Sequence, residues 1–506
     1  MIQRIDYWLN GVTMYRLVAY YLAWLVAVAA ILSGLGVMLL DPYALLFSAG
    51  FFMALCWLSN TIFAAVFRVP VNVESAYISA LILALIITPL SGYGDLVAMG
   101  WVAVLAMASK YMLAPWGKHI FNPIAMAVVI TTFAINQTAS WWVGTGPMLP
   151  FVLIGGVLLV RKLRRVGMVL SFLLAATFTT LGVSLFEGSH LLNSVSALWI
   201  ASPLLFFGFA ILTEPLTMPP TFQMQMVYGG LVGILFAPQL HIGAFYFTPE
   251  LAIVLGNLMS YVISPKHKLV LEIKDKIHLG ADLWDFVFEP NRPLAYLPGQ
   301  YMEWTLGHVD PDIRGNRRYF TLASSPTEKT LRLGVKFPQD LSSFKQAMLD
   351  MGRRATIVAA QLAGDFTLPH DLSQKCVLIA GGIGITPFRS MIKYALDKDE
   401  HRPLTLFYAA RTSAELVYTD IFAQAQQQLG LKIIYTLTDP TQVPIDWRER
   451  VGYLDANVIA AEAPDYAHSL FYLSGPNTMV LAFEATLIAM GVQRSHIRKD
   501  FFPGFA

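Results

Sequence analysis

The sequence predicts a polytopic α-helical membrane domain of about ten helices, followed by a small antiparallel β-barrel and an α/β domain of strand–helix–strand units. Three observations carry that expectation. The chain is 56% hydrophobic and only 13% charged, far more apolar than a soluble protein. Its long apolar runs fill the first half and stop at Ser264, Pro265, Lys266, His267 and Lys268. Beyond them, short alternating strands, turn residues and charges take over. The expected limits are 1–265 for the membrane domain, 266–370 for the barrel and 371–506 for the α/β domain.

In chain order, the candidate spans are Leu17–Leu40, Ala44–Phe67, Tyr77–Leu90, Leu96–Leu113, Phe121–Ile135, Leu149–Val160, Val169–Phe186, Leu198–Leu212, Met226–Phe236 and Phe245–Ile263. Several fall short of the roughly 20 residues that an upright helix needs to cross a bilayer, so broken or tilted helices are expected. The first run is too long for a signal-peptide core and is read as a retained helix. Lys and Arg segregate between alternate connections: Arg4, Arg16, Arg68, Lys110, Lys118, Arg161, Lys162, Arg164, Arg165, Lys266 and Lys268 fall on one side. The connections around Asp41, Gly94, Trp141, Glu187 and His241 carry neither. Basic residues stay cytoplasmic, so both termini and the soluble half are expected in the cytoplasm of a cell whose inner membrane holds the helices.

A net charge of +2 with no long basic run sets nucleic acid aside. Cys56 and Cys376 are the two cysteines, too few for a disulfide framework or an iron–sulfur cluster within the chain. The membrane half holds His119, His190 and His241, all at or beyond span ends, so bilayer haem is not expected and no metal site is assigned.

In the soluble half, Val270–Lys274 and Asp285–Phe288 alternate like barrel strands. Within this region Arg318, Tyr319, Phe320 and Thr321 place a guanidinium and an aromatic ring on one strand face and a hydroxyl on the other. A guanidinium fork suits a pyrophosphate and an aromatic face suits a flat ring. Further on come Gly334, Val335 and Lys336, then Ser342 and Ser343 ahead of a short helix. Hydroxyl residues at a helix N-terminus leave backbone N–H groups for an anion, or simply cap the helix. From Cys376 a buried strand leads into Gly381, Gly382, Ile383, Gly384, Ile385, Thr386 and Pro387 and then a helix, a turn in which backbone N–H groups can close on a pyrophosphate. Tyr472 to Met479 and the tail Asp500 to Phe505 complete the pattern.

These segments resemble the ferredoxin–NADP reductase family over Leu269 to Ala506. The resemblance implies an FAD-dependent NAD(P)H oxidoreductase. Arg318 would hold the FAD pyrophosphate, with Val335, Lys336, Ser342 and Ser343 as a second element; Tyr319 and Phe320 would line the flavin and Thr321 would approach its N5. Gly381, Gly382, Gly384, Thr386, Pro387, Gly475 and Pro476 would bind the nicotinamide nucleotide. Ser474 stands where many members carry cysteine. Asp500 and Phe501 would lie beside the isoalloxazine, and with Thr321 and Ser474 they form the expected catalytic set. Arg411, at the end of the next strand, leans toward the 2′-phosphate of NADPH, with NADH left open.

In the membrane half, Phe121, Asn122, Pro123 and Thr213, Glu214, Pro215, Leu216, Thr217 resemble motifs of the B subunit of the sodium-pumping NADH:quinone oxidoreductase and the D subunit of the Rnf complex, over roughly Val71 to Ile263. The resemblance implies flavin binding, although the threonine motif that carries covalent FMN is missing here. Noncovalent FMN or riboflavin near Asn122, Thr213 and Thr217 is expected, with quinone or an extracytoplasmic flavoprotein as acceptor. A redox-driven cation pump is the alternative. Asn122 and the threonines also suit ordinary helix capping.

Overall fold

The computed structural model describes residues 12–67, 73–115, 119–243, 245–264, 268–308 and 315–500, together with Leu9, Val69 and Asp312. The chain forms two compact units that divide between His267 and Lys268.

The first unit is helical. Its helices are α1 (Met14–Gly34), α2 (Pro42–Val66), α3 (Val73–Ile86), α4 (Tyr93–Met112), α5 (Pro123–Ile135), α6 (Leu149–Leu163) and α7 (Val166–Glu187). A bent pair (Leu191–Ala201 and Leu204–Ile211) follows, then α8 (Phe222–Phe236) and α9 (Pro249–Ile263). Local chemistry sets their ends. The Asp41 carboxylate accepts from the Tyr43 N–H ahead of α2, Thr221 and Thr248 cap α8 and α9, and Gly188 closes α7 in the left-handed region at φ +69°. Gly229 and Gly233 bring α8 against α7 so closely that an added Cβ would stand 2.3 Å from the Met168 carbonyl oxygen and 2.4 Å from that of Phe172. Small residues allow this backbone approach where lipid supplies no hydrophobic drive.

The expectation of about ten spans needs correction. Among the described residues, five helices are long and apolar enough to cross a membrane, or six if the bent pair, kinked by 57° around Ser202 and Pro203, counts as one span. The helices α3, α5, α8 and α9 have 14, 13, 15 and 15 residues, about 20 Å of rise against a hydrocarbon core of about 30 Å.

The second unit has two sheets. The first contains β1 (Leu269–Gly280), β2 (Leu283–Pro290), β3 (Tyr301–Thr305), β4 (Arg317–Thr321), β5 (Leu331–Lys336) and, after helix α10 (Ser343–Asp350), β6 (Thr356–Ala363). Every pair is antiparallel and the order is β4-β3-β6-β1-β2-β5. Period-two alternation turns Leu269, Leu271 and Ile273 inward against Phe286, Phe288 and Trp304. The expected closed barrel does not form, because no ladder joins the edge strands β4 and β5. The chain beyond β4 meets β5 through a single backbone bond, Ala323 N–H to the Arg332 carbonyl, while the Arg332 N–H donates to the Ser324 hydroxyl (3.1 Å).

The second sheet is parallel. It contains β7 (Cys376–Gly381), β8 (Leu404–Ala410), β9 (Lys432–Leu437), β10 (Arg450–Val451), β11 (Leu470–Ser474) and β12 (Ile497–Lys499), in the order β10-β9-β8-β7-β11-β12. Helices α11 (Thr386–Lys398), α12 (Thr419–Leu429), α13 (Ala456–Glu462) and α14 (Asn477–Ala489) connect them. Strand β7 is buried along its whole length, as a central parallel strand covered on both faces must be. The chain proceeds from β7 to β8 on one side and later returns to β11 on the other, so the order reverses between β7 and β11. In open α/β sheets, ligands bind beyond the strand ends at such a point.

Candidate active site

The turns after β7 and β11 lie side by side at that reversal. A Cβ at Gly384 would stand 2.4 Å from the Ser474 carbonyl oxygen, and one at Gly381 would stand 2.3 Å from the Met479 sulfur, so these two glycines serve close packing. Gly382 differs: its φ is +52° and the space its Cβ would enter is open. A left-handed residue with an open face at the start of α11 fits an approaching phosphate. Thr386 and Pro387 open that helix, and the Thr386 hydroxyl donates to the Ile383 carbonyl (3.2 Å). Gly475 and Pro476 form the neighbouring turn, with Pro476 ahead of α14.

Three expected site residues converge here. Ser474 ends β11, and Asp500 follows β12 with its N–H donating to the Leu473 carbonyl. Thr321 ends β4 of the antiparallel sheet. The Ser474 hydroxyl donates to Asp500 Oδ2 at 3.1 Å and the Thr321 hydroxyl donates to the same oxygen at 3.2 Å. Asp500 Oδ1 is shielded from solvent and has no hydrogen-bond partner among the described residues. Burial pushes the Asp500 carboxyl up to about 7, against the opposing effect of its two hydroxyl donors. A shielded carboxyl whose second oxygen carries both hydroxyl donors leaves Oδ1 for a polar ligand edge. Phe501 lies outside the described residues.

Arg389 on α11 holds the two sheets together at this place. Its guanidinium makes a two-point pair with Glu328 (2.6 and 3.0 Å) and donates to the Ala323 carbonyl (2.7 Å), two residues beyond Thr321. The arginine is 3% exposed, so removing one partner would leave a buried charge uncompensated. Spacing in the sequence did not single it out.

On the flavin side, Arg318 is buried in β4 and its guanidinium packs over the Phe344 ring at 5.0 Å. Asp312 takes both Nη2 donors, at 2.8 and 2.9 Å. Phe320 packs near Phe344 at 6.1 Å between ring centres, and the Tyr319 hydroxyl donates to Glu303 (2.9 Å). Ser342 caps α10, accepting from the Lys345 N–H. Ser343 accepts from the Asp312 N–H (2.8 Å) and faces His308 Nε2 (3.0 Å). Val335 is buried, and Lys336 pairs with Glu415 at 2.8 Å.

Arg411 is exposed and stands 3.6 Å from Asp439, which follows β9. The Asp439 N–H donates to the Arg411 carbonyl, so the two strand ends are joined. Asp439 was missed in the sequence, although an acid at the C-terminal end of a parallel strand is a signal for a ribose contact.

In the helical unit, Asn122 caps α5 by accepting from the Ile124 and Ala125 N–H groups. Its amide nitrogen donates to Glu214 (2.7 Å), and its backbone N–H donates to Asn257 (2.7 Å), which in turn donates to the Tyr228 hydroxyl (2.9 Å). Thr217 donates to the same Glu214 oxygen (3.3 Å), while Thr213 donates to the Phe209 carbonyl (2.6 Å). Asn257 and Tyr228 join a cluster that the motifs alone did not reveal. Among the described residues, no group of three or more His, Cys, Asp or Glu side chains is placed to hold a metal.

Residues 378–484 match the oxidoreductase NAD-binding domain family. The chain is 26% identical over 220 residues to a flavohemoprotein of Bacillus cereus, covering 41% of this chain and 53% of that protein. It is 25% identical over 233 residues to the glycine betaine monooxygenase reductase subunit of Chromohalobacter salexigens, covering 44% and 61%. The chain thus spans little more than half the length of these relatives. Among solved structures it is similar to the flavohem-like FAD/NAD-binding domain of nitric oxide dioxygenase from Vibrio cholerae, with 22% identity, a TM-score of 0.41 and coverage of 46% of this chain and 98% of that one. The chain carries an FAD- and NAD(P)-binding oxidoreductase domain behind a helical region with five or six candidate membrane spans.

Proposed function

We propose that the chain is a membrane-bound NAD(P)H oxidoreductase that passes electrons from NAD(P)H through FAD to an acceptor served by the helical unit. The observation that carries the reading is the convergence of Thr321, Ser474 and Asp500 at the strand-order reversal. FAD, when bound, takes up a hydride and releases its electrons onward. Arg318, Ser343 and the start of α10 are the groups to hold its pyrophosphate. Phe320 offers an aromatic face, and Gly382 with the N-terminus of α11 receives the nucleotide phosphates. Burial holds the Asp500 carboxyl up to about 7, so it can hold a proton near neutral pH and pass it on through the Thr321 or Ser474 hydroxyl. Residues 1–265, 266–370 and 371–506 serve as membrane, FAD and nucleotide domains in this reading.

Arg411 is drawn to Asp439, and a carboxylate at that place repels a 2′-phosphate while accepting from a ribose hydroxyl. This favours NADH over NADPH. For the acceptor, the Asn122, Glu214 and Thr217 cluster and the resemblance to the B and D subunits favour a noncovalent FMN or riboflavin, with electrons leaving to quinone or an extracytoplasmic flavoprotein. Acid release of flavin from the purified full-length protein is expected to yield FAD, and anaerobic NADH is expected to bleach the bound flavin. Absence of FAD, or flavin that neither NADH nor NADPH reduces, would overturn the proposal.

A further inference from the structure

Arg318 offers N–H donors on three nitrogens, and both terminal nitrogens are engaged within the chain. Nη1 donates to the Gly315 carbonyl (2.9 Å) and the Arg317 carbonyl (2.7 Å), and Nη2 donates to both oxygens of Asp312. Ser343 is engaged in a similar way. His308 Nδ1 lies 2.9 Å from the Leu306 carbonyl and donates to it, and His308 Nε2 lies 3.0 Å from the Ser343 hydroxyl. The Ser343 oxygen then accepts from the Asp312 N–H. Asp312 thus meets both groups read above as FAD pyrophosphate ligands, Arg318 through its carboxylate and Ser343 through its backbone N–H.

We propose that Asp312 is an internal anion that competes with the FAD pyrophosphate for Arg318, and so sets how tightly the flavin is held. The inference rests on the reading of Arg318 as the pyrophosphate arginine. A pyrophosphate oxygen that takes Nη2 must displace the Asp312 carboxylate from it, so binding at that nitrogen is an exchange. The Arg318 side chain is 8% exposed and that of Asp312 23%, so the pair is stronger than an open surface bridge, yet the carboxylate has a route to water once displaced. The aspartate also keeps the arginine paired before flavin arrives, when a lone buried guanidinium would be costly.

The test uses full-length protein in detergent, stripped of flavin, with FAD, ADP and riboflavin as probes and dissociation constants read by fluorescence or calorimetry. Asp312→Asn keeps the size of the side chain and removes its charge, and Asp312→Ser is a second variant should the first fold poorly. Loss of a charge-assisted competitor is expected to tighten FAD about ten- to a hundredfold, to tighten ADP likewise and to leave riboflavin unchanged, since riboflavin has no pyrophosphate. Arg318→Ala is expected to weaken FAD and ADP. If Arg318→Ala weakens FAD while both Asp312 variants leave it unchanged or weaker, Asp312 merely orients the arginine and the competition is refuted. If Arg318→Ala leaves FAD unaffected, it is the reading of Arg318 that fails, and the two failures stay distinct.

Discussion

A single carboxyl illustrates how the site makes chemistry from burial. Asp500 is held up to about 7 because desolvation outweighs its two hydroxyl donors, whereas in the unfolded chain it returns to the ordinary carboxylate range. The folded state thus binds the proton more tightly. Its contribution to stability is fully present below the ordinary range, where both states are protonated, and is lost as pH rises through about 7. Asp500→Asn removes that titration. The melting temperature of the flavin-stripped variant minus that of the natural protein should become more positive between about pH 4 and about pH 8. A difference that stays constant across the range would show that Asp500 ionises freely in the fold. Legibility at this scale was uneven. Arg318, Thr321, Ser474 and Asp500 stood out because a strand motif or a strand end marks each. Asp312, Asp439 and Arg389 did not, since their roles arise from pairings across loops and sheets that no local spacing encodes.

At the scale of elements, strands and helices followed their sequence signals where period and caps agreed. The Gly381 to Thr386 turn between a buried strand and a helix is an example, as is the alternation of β1. The expectation failed where closure or length had to be judged. The sheet stays open because no ladder joins β4 to β5, and pairing between edge strands is not encoded in the period of either one. The helix count fell because apolar character alone does not give length, and α3, α5, α8 and α9 stop at caps and breaks short of a bilayer's thickness. Charge segregation between the connections reads as alternation only if the short apolar helices cross as well. On that reading the connections near Gly94 and Ser189 are expected outside and the soluble half in the cytoplasm. Both native cysteines are buried, so engineered ones will be read against a low background. Cysteines placed at Gly94 and Ser189 should label with an impermeant thiol reagent in intact cells, whereas one at the fully exposed Ile445 should label only after lysis. The reverse pattern would refute the orientation.

For the whole molecule, the open question is how electrons leave the flavin. A hydrocarbon core of about 30 Å is too thick for one useful hop, so a route across it needs a second redox group, whereas quinone reduction from the cytoplasmic face needs none. The chain has two cysteines, and no metal-holding cluster occurs among its described residues. In the proposed function, a second flavin in the helical unit fills that place. The cluster of Asn122, Glu214, Thr217, Asn257 and Tyr228 supports this, because it gathers hydrogen-bonding groups of both kinds where polar side chains are costly. The same cluster is satisfied by its own members, so it can also be read as a polar knot that caps α5 and ties α8 to α9. Flavin identity separates the two readings without cutting the chain. In full-length Arg318→Ala, FAD should be depleted, and FMN or riboflavin recovered after acid release would then come from the helical unit. A folded variant that releases no flavin at all would remove the membrane flavin from the scheme and leave direct reduction of quinone from the cytoplasmic face.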